Sequence, residues 1–193
     1  MSLNLKKILL TLLLVGMVGG VGAIRANAVF TSVATNGANT FSSGTIVIST
    51  SPSSAFITFS AMVPGDTVTQ PLTVSNTGSA QLRYAVSSTT TENVLATQLA
   101  LTLKTGVTTC TNAGFASSGT VVYGPGALGN TTAINVIGNP SQGAQSGDRT
   151  LNASASEVLC TQVALPLSTG NTFQGLTTTA TFAFDAEQTS NNP

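Results

Sequence analysis

The sequence has no histidine and no tryptophan, and only 6% of its 193 residues are charged. Histidine is the side chain most used as a general base near neutral pH and as a zinc ligand. Its absence excludes Ser-His-Asp and Cys-His catalysis and the histidine-based motifs of zinc proteases. The six acidic and six basic residues are scattered along the chain. We therefore predict that the protein is not an enzyme and uses no metal or cofactor.

Clusters of lysine and arginine are missing as well. A protein that binds nucleic acid needs such clusters to displace counterions from the phosphates. Apart from one apolar run, the chain is rich in Thr, Ser, Gly, Asn and Ala. This polar but uncharged composition favours a β-protein in contact with its own copies, and we predict no nucleic-acid partner.

The apolar run lies near the N-terminus and is organised like a secretory signal. Lys6 and Lys7 precede it, and residues 8–15 are nearly all apolar. Further on, Ala26-Asn27-Ala28 fits the small-x-small rule of signal cleavage sites. This order predicts cleavage after Ala28, with Val29 as the first residue of the mature chain.

These features predict a signal peptide over residues 1–28 and a protein that is secreted to the extracellular matrix or the cell surface. The alternative is an uncleaved membrane anchor, which Arg25 and the glycine-rich second half of the run disfavour. Cys110 and Cys160 both follow the cleavage site. In an exported protein an even cysteine count favours a disulfide, with two buried thiols as the alternative.

Alternation of apolar and polar residues with a period of two dominates the rest of the chain and is typical of strands with one buried face. The apolar positions are Val68, Leu72 and Val74; Leu82, Tyr84 and Val86; Leu99, Leu101 and Leu103; Leu159, Val163, Leu165 and Leu167; and Ala180, Phe182, Phe184 and Ala186. Shorter candidate strands are residues 45–49, 56–60, 120–123 and 133–137.

Turn residues separate these strands at Pro64-Gly65-Asp66, Asn76-Thr77-Gly78 and Gly124-Pro125-Gly126. Residues 92–98 are predicted to form a short helix capped by Thr91, and residues 138–147 an exposed loop. Many short strands with regular turns indicate an all-β, two-sheet sandwich over residues 44–193 with short helical or loop insertions. Its topology is expected to be jelly-roll-like, with an immunoglobulin-like sandwich as the alternative.

Three carboxylates could be interpreted as sites. Asp66 could bind calcium, but we expect it to satisfy the backbone of its turn. Asp185 and Glu187 share one face of a strand, where they could form a carboxylate pair. We expect them instead to be solvated or bonded to a neighbour.

Residues 29–43 form a polar segment ahead of the first clear strand. Apolar residues are spaced along it at Val29, Phe30, Val33 and Phe41. The segment is either a disordered lead-in or an extended strand that adds to another subunit's sheet.

Three stretches resemble the TasA/camelysin family. Residues 28–48 are similar to the family's mature start, with matches at Ala28, Phe30, Thr31, Asn39, Thr40, Phe41, Gly44 and Thr45. Residues 63–84 match through Pro64-Gly65-Asp66 before a strand and Asn76-Thr77-Gly78 after it. Residues 179–193 look like the family's last strand and tail, while residues 91–147 show no match.

The resemblance implies a jelly-roll-like sandwich that a dedicated signal peptidase exports and that assembles into biofilm-matrix fibres. In that family the N-terminal segment of one subunit completes the next subunit's sheet. This makes Val29, Phe30, Thr31 and Val33 the candidate donor strand. The implied partners are copies of the same chain, head to tail, with other matrix or cell-wall components.

The camelysin branch is described as a metalloprotease. We do not extend that activity to a chain without histidine or a cluster of metal ligands. The alternative function is a monomeric binding module on the cell surface. Its scarce aromatic residues disfavour stacking on glycans.

Overall fold

The computed structural model describes residues 2–21 and 40–192. The chain divides into two compact units, Met1–Phe41 and Ser42–Pro193. In the first unit the apolar run forms helix α1, Ser2–Val21, as expected for a leucine-rich stretch. Among the described residues, no helix combines the length and apolar character that crossing a membrane requires.

The second unit is built almost entirely from strands. The strands are β1 Ile48–Ser51, β2 Thr67–Asn76, β3 Leu82–Thr90, β4 Ala100–Thr105, β5 Thr120–Ala127, β6 Ile134–Ile137, β7 Arg149–Leu151, β8 Ser156–Ala164 and β9 Ala180–Gln188. Two short helical segments interrupt them, helix α2 at Asn112–Ser117 and a 3-10 helix at Asn171–Phe173.

The strands form two antiparallel sheets of unequal width. Sheet A has five strands in the order β1-β2-β8-β4-β5. In sheet B, β3 pairs with β9 along one edge, while the shorter β6 and β7 share its other edge. The predicted all-β, two-sheet sandwich is confirmed, and its jelly-roll topology stays a prediction.

Alternating apolar residues from both sheets fill the space between them. In sheet A, Leu72 lies opposite Leu159 in the neighbouring strand, and Leu101 lies opposite Val163. All four side chains are buried, so the predicted alternation is correct for β2, β4 and β8. Burial of each such side chain contributes about 1.5–3 kcal/mol.

Strand β3 differs from the prediction because both of its faces are buried. The loop after β6 and the C-terminal residues lie over its outer face. There, the Gly143 N–H donates to Glu187, and Arg83 donates to the Asn192 carbonyl. The alternation of β3 predicted the core face but not this additional cover.

Two predicted elements do not form. Residues 56–60 were expected to be a strand, but they are irregular, and no strand between residues 40 and 192 pairs with them. Residues 92–98 were expected to be a helix, but they form turns. The Glu92 carboxylate accepts the N–H groups of Val94, Leu95 and Ala96, and Thr91 accepts the Thr179 N–H instead of capping a helix.

Two further predictions are wrong in detail. Gly124-Pro125-Gly126 is not a turn but lies inside β5, where the pairing with β4 shifts register. A Cβ atom at Gly124 would lie 2.1 Å from the Leu101 carbonyl oxygen, so this irregularity requires glycine. Leu167 is 81% exposed rather than buried. Strand β8 ends at Ala164, and Pro166 has no N–H with which to continue the ladder.

Candidate functional site

The chain enters the sandwich at one end, where two of the sequence motifs meet. Thr45 and Ser79 bond to each other through the Thr45 N–H and the Ser79 hydroxyl, 3.0 Å apart. The Ala80 N–H donates to the Thr45 carbonyl, and a Cβ atom at Gly78 would lie 2.3 Å from the same oxygen. Gly78 is therefore required where residues 44–47 cross the turn. We call this end the entry end.

The buried side chain of Asn76 hydrogen-bonds to several backbone groups at the entry end. Its side chain is 1% exposed and donates to the carbonyls of Ala80, Leu151 and Asn152. Its Oδ1 accepts the Gly78 N–H at 2.9 Å. The sequence predicted a turn here but not a buried amide that joins this turn to the end of β7.

The motif Pro64-Gly65-Asp66 lies at the opposite end of β2, which we call the turn end. The Asp66 carboxylate accepts the Val63 N–H at 2.8 Å, and Gly65 has a φ of +100°. Asp66 therefore satisfies its turn, as expected. The family motifs are split between the two ends rather than gathered in one site.

Along one flank of the sandwich, the outer edge of strand β9 pairs with no other strand of the described residues. The Thr91 N–H donates to the Thr179 carbonyl, and the Thr189 N–H to that of Gln81. In an antiparallel pair the bonded residues alternate, so the odd-numbered residues of β9 bond to β3. The backbone groups of its even-numbered residues point away from β3, and none bonds to another described backbone group. These edge residues are Ala180, Phe182, Phe184 and Ala186.

An apolar groove of about 620 Å³ lies beside this edge. Val68, Leu72 and Val163 of sheet A form one wall, and Phe182 and Phe184 of β9 form the other. The groove exists because sheet B stops at β9 while sheet A continues to β1. Residues 52–62, which link β1 to β2, lie over it.

We call residues 52–62 the flank cover. The ring of Phe56 lies 5.7 Å from that of Phe182, and Ile57 and Met62 are partly buried against the core. Among the described residues, no backbone group of the flank cover bonds to another backbone group. Within the described part of the chain, it is therefore held by apolar contacts. The β-prone run at residues 56–60 is the sequence signal for this segment, but it predicted a paired strand.

A second cover lies on the outer face of sheet A. Residues 106–119, which we call the disulfide cover, include α2 and are joined to β8 by a Cys110–Cys160 disulfide. The structure thus contains the predicted bond. Phe115 is 5% exposed, and the Lys104 ammonium lies 4.6 Å from its ring and donates to its carbonyl oxygen.

The charged residues form pairs instead of a reactive cluster. Arg149 and Tyr84 both donate to the Glu157 carboxylate. Burial raises the pKa of Tyr84, and the charge of Glu157 raises it further. Arg83 lies 2.6 Å from Glu187 and lowers the pKa of that carboxyl. Glu187 is therefore bonded to a neighbour, as expected, and Asp185 on the same strand is exposed.

Several predicted residues cannot be placed in this geometry. Ala26, Ala28, Val29, Phe30, Thr31, Val33 and Asn39 lie outside the described residues. The cleavage site and the donor strand therefore stay predictions. Within the described part, Thr40 is exposed and Phe41 is 94% exposed.

Comparison with known proteins gives one family match. The family model described as camelysin metallo-endopeptidase matches residues 6–104, about half of the chain. The matched stretch runs from α1 through most of β4 and includes both family motifs of the entry end. A search of curated proteins gives no match.

Proposed function

This chain belongs to the camelysin family, and on that premise we propose that it is an exported structural subunit that polymerises into fibres of a biofilm matrix. The observation that carries this proposal is the apolar groove beside the outer edge of β9, which pairs with no other strand of the described residues. An open strand position of this kind attracts another strand, because it offers both unpaired backbone groups and pockets for side chains.

The family description names a metallo-endopeptidase, and the residues of this chain do not fit a zinc centre of that kind. It has no histidine, and both cysteines form the disulfide. Among the described residues, no three potential metal ligands cluster. All six carboxylates lie in that part, and five accept hydrogen bonds from neighbouring groups: Asp66, Glu92, Asp148, Glu157 and Glu187. We therefore propose a structural role instead of proteolysis.

The donated strand in this proposal is the start of the mature chain, residues 29–40. Export would remove residues 1–28 at the Ala26-Asn27-Ala28 site. A segment with so few apolar residues buries too little surface to fold alone. In a neighbour's groove it would gain a ladder of hydrogen bonds and bury Phe30 and Val33, at about 1.5–3 kcal/mol per side chain before ordering costs.

The two ends of the sandwich support a linear polymer. Residues 45–47, which follow the proposed donor segment in the sequence, lie at the entry end, whereas the groove extends along the flank toward the turn end. A subunit that donates from one end and accepts toward the other makes a heterologous contact. Such contacts give filaments when the rotation between subunits does not close a ring.

Deletion of residues 29–35 and the substitution Phe30→Asp test the proposal. Each variant should give a folded monomer that forms no filaments in electron microscopy. Asn36→Asp is the matched control, because it adds the same charge to the segment without removing an apolar side chain, and it should polymerise normally. Normal filaments from the deletion variant would contradict strand donation, and wild-type protein that stays monomeric would favour the cell-surface binding module.

A further inference from the structure

The flank cover occupies the place in which an added strand of sheet B would lie. Sheet B is narrower than sheet A on this flank, and strands in a sheet lie about 4.8 Å apart. One more strand beside β9 would therefore extend sheet B over the core faces of β1 and β2. The flank cover runs from β1 to the turn end, antiparallel to β9, yet forms no ladder with it.

The flank cover shields the apolar surface of the groove but does not bond to the backbone groups at the edge of β9. Phe56, Ile57 and Met62 shield apolar surface. The N–H and C=O groups of Phe182 and Phe184 still have no backbone partner among the described residues. A true strand would supply both the apolar side chains and the ladder, so it competes favourably with the flank cover.

We propose that the flank cover is a displaceable, autoinhibitory segment, and that a strand from a second copy of this chain displaces it and pairs with the free edge of β9. This inference rests on the proposed function, but it specifies which edge accepts the strand and what must first leave. An exposed edge invites premature pairing. The flank cover keeps the monomer from pairing until a donor strand arrives.

Hydrogen exchange of wild-type protein as monomer and as filament tests the acceptor edge. In the filament, the amides of Phe182, Phe184 and Ala186 should exchange at least about tenfold more slowly, because a new ladder protects them. The amides of Thr181 and Ala183 already face β3 and provide an internal control. Filaments in which the even-numbered amides exchange as in the monomer would overturn the inference, whichever segment is donated.

The two proposals fail in different ways. If Phe30→Asp still polymerises and β9 becomes protected, the donor assignment is wrong and the acceptor edge is supported. If protection appears only at β1 or β5, strand donation survives and the β9 edge is wrong. If no filaments form from wild-type protein, both proposals fall.

Displacement of the flank cover is tested separately by chymotrypsin, which cleaves after phenylalanine. Cleavage after Phe56 should be faster in filaments than in monomers, since the displaced segment is released into solvent. Equal or slower cleavage in filaments would show that the segment stays in place, and would overturn its role as a displaceable cover.

A substitution that loosens the flank cover should also speed growth. Phe56→Ala removes the ring that packs on Phe182, and should raise the elongation rate by up to about tenfold, the factor that corresponds to ~1.4 kcal/mol. Val158→Ala is the control, because Val158 is 45% exposed on β8 and does not line the groove. Its effect should be less than about twofold. Equal rates for Phe56→Ala and wild type would contradict autoinhibition.

Discussion

The sandwich has two covers outside its paired strands, and they are held in different ways. The disulfide cover is joined to β8 by Cys110–Cys160, buries Phe115 and accepts hydrogen bonds from Lys104. The flank cover has no disulfide and, among the described residues, no backbone hydrogen bond to another backbone group. The first is part of the fold, whereas the second is packed onto it. The difference indicates that the flank cover, and not the disulfide cover, is the segment that a strand of another chain can displace.

Removal of the disulfide should have the largest effect on stability. The two cysteines are 50 residues apart, and a loop of this length contributes about 4 kcal/mol in the chain-entropy model. The double variant Cys110→Ala, Cys160→Ala should lose about that much in denaturant unfolding. Wild-type protein treated with a reductant provides the control and should behave similarly. A loss below about 1 kcal/mol would mean that the remaining contacts hold the disulfide cover.

The same substitution in each cover compares them directly. Phe115→Ala should lower the free energy of unfolding by about 3 kcal/mol, because it empties a buried site. Phe56→Ala should lower it by only about 1 kcal/mol, because the segment around it is partly exposed and free to adjust. Urea unfolding of the two variants measures both values. Equal losses would remove the distinction between a fixed and a displaceable cover.

A smaller effect on local stability is expected at the loop after β6, which the charged Glu187 side chain binds through Gly143. The hydrogen bond from Arg83 holds the pKa of Glu187 below its ordinary value, and the Glu187 carboxylate in turn accepts the Gly143 N–H. The ionised carboxylate contributes its stabilisation fully above its ordinary pKa, and the contribution is lost as the pH falls through its lowered, folded-state value. Between about pH 6 and about pH 3 the exchange protection of Gly143 should therefore decrease. Glu187→Gln should remove this pH dependence, and an unchanged dependence in that variant would assign it to another group.

The sequence predicted those parts of the fold that depend on one strand's own pattern. Leu72, Leu101 and Leu159 alternate with polar residues, and each faces the core as that pattern requires. Residues 56–60 have the same β-prone composition, but a strand also needs a neighbour, which composition does not specify. The Glu92 turn shows a related limit, because one side chain replaced the backbone bonds of the expected helix.

The site was only partly predictable. The apolar residues Phe182 and Phe184 could be assigned to a buried strand face. Whether that strand lies at an edge depends on the order of the strands in the sheet, which periodicity does not reveal. The outer edge of β9, which pairs with no described strand, and the flank cover beside it therefore emerge only from the three-dimensional arrangement.

The bonding of charged residues within one subunit also determines how a polymer of this chain would respond to salt. All three basic residues of the second unit, Arg83, Lys104 and Arg149, bond to groups of their own subunit. Salt screens exposed charges but hardly affects apolar burial or a ladder of backbone bonds. If the subunits polymerise as we propose, their contacts should therefore keep their strength from dilute to saline water.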